Sequence, residues 1–212
     1  TSQNKKSDGK VDYLIVTNEY LKKDFTPLIH WKIRKGLNIE IITIEEIEET
    51  YDAKSIQLKI KECLFDYYKN YDLKWALFGG DQEIIPVQYC YSKITFQKGD
   101  HEDNVPTDLF YACFDYRFDW NSFYNDKIGE INFDGHDITP DIFLTRIPVN
   151  TKEGVKAFVE KTLEYERNPP ATNSTGKMIF SGVKLWNSWE GKSDSHHRSN
   201  LILDKYIDLK WN

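Results

Sequence analysis

The chain has 212 residues, and its 28 basic and 34 acidic residues leave a formal net charge of −6. Acids and bases are interspersed rather than blocked, which argues against a nucleic acid or an anionic membrane as partner. No stretch approaches the ~20 apolar residues of a membrane-spanning helix, and the length suits one ordinary domain, or one compact domain with a piece of another.

Residues 1–10, TSQNKKSDGK, read as a polar leader without an apolar signal-like core. VDYLIVT (Val11 to Thr17) is a continuous apolar run with β-branched residues, the pattern of a strand buried on both faces. Leu21, Phe25, Leu28 and Ile29 then recur at helical spacing, and Lys35-Gly36 supplies a basic last turn and a glycine stop. A second strand is expected at Asn38 to Thr43. It is followed by a helix from about Ala53 to Tyr68, with Ile56, Ile60 and Leu64 four apart, and by a third strand over Leu73 to Gly80.

Strands alternating with helices over short connections predict a parallel sheet with right-handed crossovers. VQYCYSKITF and TDLFYACF, between Val87 and Phe118, read as two further strands forming a hairpin, and the polar stretch from Asp115 to Asp141 as a long loop. DIFLTRIP (Asp141 to Pro148) returns to the sheet. Asn150, with Glu153 three residues on, is the expected cap of a helix through Val155, Phe158, Val159 and Leu163. NPPATNSTG (Asn168 to Gly176) is the linker candidate. Beyond it lie a strand, KMIFSGVKL, and a helix over about Asp194 to Ile207.

The expected fold is therefore a three-layer α/β/α arrangement around a mostly parallel sheet, flavodoxin-like in its layer order, with a small β-hairpin. Ligands in such sheets gather beyond the carboxyl ends of the strands, where Thr17, Asn18, Thr43 and Gly79 to Asp81 fall. Asp81 reads either as a base or metal ligand, or as the cap of a turn for which Gly79-Gly80 supply φ freedom. No dinucleotide glycine pattern and no phosphate-loop lysine is present. Cys63, Cys90 and Cys113 are placed inside elements rather than at the strand or helix ends that expose a nucleophilic thiolate. His30 falls on a helix, His101 and His136 in loops, and His196-His197 at a helix start. Asp115, Asp119, Asn121, Asp126 and Glu130 crowd hard oxygen donors into one loop, a set suited to Ca²⁺ or simply to water.

Taken in order, VDYLIVTNEY, PLIHWKIRKG, WALFGGDQEIIP, TDLFYACFD, PDIFLTRIPVNTKEGV and LEYERNP resemble the amino-terminal subdomain of gingipain-like cysteine peptidases, peptidase family C25. The resemblance covers about Val11 to Pro169 and implies a caspase-like fold of two similar subdomains. It makes residues 11–170 the amino-terminal α/β subdomain and residues 171–212 the truncated start of a second, catalytic one. In the family the catalytic histidine, followed by glycine, and the catalytic cysteine stand on that second subdomain, and no His-Gly pair occurs here. The resemblance thus implies no catalytic residue in this chain, and it makes Asp81 part of a scaffold turn.

Asp194 is similar in position to an acid lining the basic-residue pocket of those enzymes. Phe118 to Asn121 and Gly129-Glu130 match in part a loop that bears on the calcium reading. The implied partners are the missing catalytic subdomain and a peptide or protein substrate, and the implied location is extracellular or cell-surface. Two other functions are open at this point: a degenerate relative acting as a protein-binding module and, from layer order alone, a flavodoxin-like cofactor binder.

Overall fold

A computed structural model describes residues 9–96, 99–114, 127–129, 139–169 and 194–206. The chain divides into two compact units, Thr1–Leu163 and Glu164–Asn212. In the first, strands β1 (Tyr13–Thr17), β2 (Ile39–Thr43), β3 (Trp75–Gly79) and β6 (Phe143–Ile147) form one sheet in the order β2-β1-β3-β6, and every pairing is parallel. Strands β4 (Gln88–Phe96) and β5 (Gly99–Thr107) form a separate antiparallel hairpin. The described part of the second unit includes a helix over Asp194–Tyr206.

Alternation along the strands divides the core in two. Leu14, Val16, Ala76 and Phe78 face helices α2 (Ile44–Thr50), α3 (Ile56–Tyr71) and α4 (Leu109–Ala112), packing on Ile47, Ile60, Leu64, Phe110 and Tyr111. Ile15, Leu77 and Ile147 point the other way. They meet Leu28 of α1 (Thr26–Arg34) and Val155, Val159 and Leu163 of α5 (Lys152–Arg167). Each fully buried aliphatic or aromatic side chain contributes about 1.5–3 kcal/mol, so a sheet covered on both faces is the source of stability and the expected three layers are present.

Local signals explain the helix ends. Gly36, at φ +86°, closes α1: its N–H donates to Ile33 O, and Leu37 N donates to Lys32 O. The cap of α5 is Thr151 rather than the expected Asn150, with Thr151 Oγ1 accepting from Gly154 N at 3.1 Å. Helix α2 was not expected, although Thr43 and Glu46 carry its signature: Thr43 Oγ1 accepts from Glu46 N and a Glu46 carboxylate oxygen accepts from Thr43 N at 2.8 Å.

Two expectations about residues 99–114 fail. TDLFYACF is not a strand. Thr107 Oγ1 accepts from Leu109 N, Asp108 O accepts from Tyr111 N, and the buried run Phe110 to Ala112 coils into one helical turn. The true partner of β4 is the polar GDHEDNVPT, which places His101 in a strand rather than a loop. With nearly every β5 residue exposed, no burial imposes the apolar alternation by which strands are read.

The glycines before Asp81 are needed for space, not for positive φ, which among the described glycines belongs to Gly36, Gly99 and Gly129. A Cβ on Gly79 would lie 2.4 Å from the Phe25 ring, and one on Gly80 would lie 2.6 Å from Ile84. At the opposite end of the strands, the buried Asp12 fixes their starts. Its Oδ2 accepts from Asn38 N and Nδ2, its carbonyl accepts from Lys74 N and Trp75 N, and Lys10 pairs with Oδ1 at 3.0 Å. The hydrogen bond from Asn38 N, with Lys10 adding to it, holds the carboxyl below its usual range.

Gly79→Ala is expected to destabilise the fold by about 1–3 kcal/mol through overpacking. Gly9→Ala, whose Cβ meets nothing within 4 Å, is the neutral control in urea unfolding. Asp12→Ala strands the Asn38 donors and is expected to cost about 1–3 kcal/mol at neutral pH. Because the folded carboxyl is depressed, its stabilisation is present above the unfolded value near 3.8 and is lost as pH falls through the folded value. Melts of both proteins from pH 7 downward should therefore converge in acid.

Candidate functional site

In a doubly wound sheet the ligand crevice opens where successive connections leave one strand in opposite directions. Here that point lies between the carboxyl ends of β1 and β3. It is filled. Thr17 Oγ1 donates to Gly79 O at 2.6 Å, both groups are buried, and the fully buried Phe25 ring lies against Gly79. Among the described residues, the Thr17–Gly79 hydrogen bond and the Phe25 ring take up this point.

Beyond β3 the chain makes the turn Gly80 to Ile85. Asp81 N donates to Val149 O, Ile85 N donates to Asp81 O, and the Asp81 carboxylate accepts from Glu83 N at 3.0 Å. The carboxylate is thus engaged in shaping its own turn. Arg146, on β6, closes the arrangement. Its Nε and Nη2 donate to the two carboxylate oxygens of Asp108 at 2.7 and 2.8 Å, while Nη1 donates to the carbonyls of Gly80, Asp81 and Ile85 at 3.0, 3.1 and 2.7 Å. The guanidinium carbon stands 5.1 Å from the Phe78 ring centroid. Tyr111 meets the same ring edge-on and donates its hydroxyl to Pro86 O; burial pushes its phenol far above the usual range.

This cluster joins three segments of chain and uses its donors internally, so it positions backbone. The sequence reading missed Arg146 and Asp108. A signal was available: within FLTRI, Arg146 shares the inward parity of Leu144, and a cation there requires a built partner.

The described thiols and imidazoles are kept apart. Cys63 is fully buried in α3 and hydrogen-bonded with Tyr51; Cys113, also buried, donates to Thr139 O at 3.6 Å. His30 is exposed on α1, across the sheet from both. Cys90 pairs with Val105 while His101 pairs with Ile94, four residues along β4, about 13 Å at the usual rise per residue. Among the described residues no thiol and imidazole come together. A depression of about 190 Å³ lined by Leu58, Lys61, Glu62, Phe65 and Phe114 offers an apolar floor with a single pair of opposite charges.

The loop residues Asp115, Asp119, Asn121, Asp126 and Glu130 lie outside the described residues, as do His136 and the side chains of Asp194, His196 and His197. Among the described residues no group of three or more His, Cys, Asp or Glu is placed to hold a metal, and no helix is long and apolar enough to cross a membrane.

Arg146→Met removes the guanidinium donors of the Asp108 carboxylate and of the Gly80 and Ile85 carbonyls, while Asp81 O keeps the Ile85 amide. The expected loss is about 3 kcal/mol, at the low end for a broken buried pair because Asp108 keeps some contact with water. Arg146→Lys, which keeps the charge but not the fork, should fall between the two proteins in the same urea titration.

The geometry agrees with comparisons to known proteins. The family model described as peptidase family C25 matches residues 6–209. Gingipain R2 of Porphyromonas gingivalis is 27% identical over 169 residues, covering 79% of this chain and 18% of the relative. In a complex of the pro- and mature domains of Porphyromonas gingivalis RgpB, the matched chain is 21% identical, with a TM-score of 0.56 over 91% of this chain and 39% of that one. The Arg-specific cysteine proteinase gingipain R gives 22% and a TM-score of 0.52, over 96% of this chain and 40% of that one. These neighbours establish the fold as the caspase-like one of the gingipains, and the chain spans under a fifth of the length of the curated gingipain named above. With the family model matching nearly its whole length, the chain belongs to peptidase family C25.

Proposed function

We propose that this chain is the amino-terminal, non-catalytic part of a gingipain-like cysteine endopeptidase, and that it serves as the wall against which the catalytic subdomain of the same polypeptide packs. The observation that carries this reading is the carboxyl edge itself. In a family whose chemistry requires a thiolate and an imidazole, this edge is closed by Thr17, Phe25 and the Arg146 clamp, and the described thiols and imidazoles are separated. Asp194, at the start of its helix, is assigned to the pocket that receives a basic side chain of the peptide substrate in the complete enzyme. The whole protein acts outside the cell or on its surface.

Calcium is part of the same proposal. The donor set Asp115, Asp119, Asn121, Asp126 and Glu130 has the hard-oxygen chemistry that Ca²⁺ prefers, and the ion would brace the loop rather than take part in peptide hydrolysis.

The purified chain, incubated with Arg- and Lys-containing fluorogenic peptides, should release no fluorophore above the blank. Turnover that disappears in Cys113→Ala would overturn the proposal. For calcium, the melting temperature should rise with excess Ca²⁺ over EDTA, since a ligand bound only to the folded state stabilises it by mass action. The rise should vanish in Asp119→Ala/Asp126→Ala; coincident melts of the parent protein would refute the ion's role.

A further inference from the structure

We draw no further inference here: the strongest candidate, the apolar depression on helix α3 walled by Leu58, Phe65 and Phe114, is bounded by the residue at which the described chain breaks off, and nothing in the structure shows what covers it.

Discussion

One guanidinium holds the carboxyl edge together. Arg146 leaves β6 on the face packed by α4 and reaches a carboxylate from the end of the hairpin and three carbonyls from the turn after β3. Those carbonyls belong to a turn that leaves the sheet, so no strand or helix supplies their donors, and backbone oxygens lacking partners at a half-buried edge are costly. A single five-donor fork is the economical solution, and the aromatic floor of Phe78 and Tyr111 orients its plane. The Gly-Gly-Asp turn, the hairpin's exit and the last sheet strand are consequently one structural unit, although they are dispersed through nearly 70 residues of sequence.

The parts of the fold legible in the sequence were those where burial writes a period. The runs around Leu14 to Val16 and Ala76 to Phe78 are buried on both faces and read as parallel strands; Ile60 and Leu64 face one core and read as helix. Where burial imposes no period the reading failed. Strand β5 is solvated on both faces, so its existence depends on the ladder to β4 and not on side-chain pattern. The four residues of α4 are apolar all round, because the turn is enclosed, and four such residues cannot distinguish helix from strand.

The site was legible in the negative sense only. That Cys63 lies within a helix and Cys113 in an aromatic run pointed to small buried side chains, and the structure buries both. The role of Asp81 came from the family resemblance, since an acid after two glycines looks the same whether it binds a ligand or caps a turn. The Arg146–Asp108 pair was invisible because its members are 38 residues apart and neither sits in a local motif. Charge placement at long range is a property of topology, and topology is what a linear reading supplies last.

The contact between Phe25 and Gly79 has an evolutionary corollary. The ring packs directly against the end of β3, and it does so only because position 79 lacks a side chain. Either single substitution is costly: a larger residue 79 meets the ring, and a smaller residue 25 leaves a cavity in a fully buried site. A lineage that enlarged residue 79 first would pass through a destabilised intermediate. The identities of residues 25 and 79 are thus coupled, and a change at one is tolerated only with a compensating change at the other.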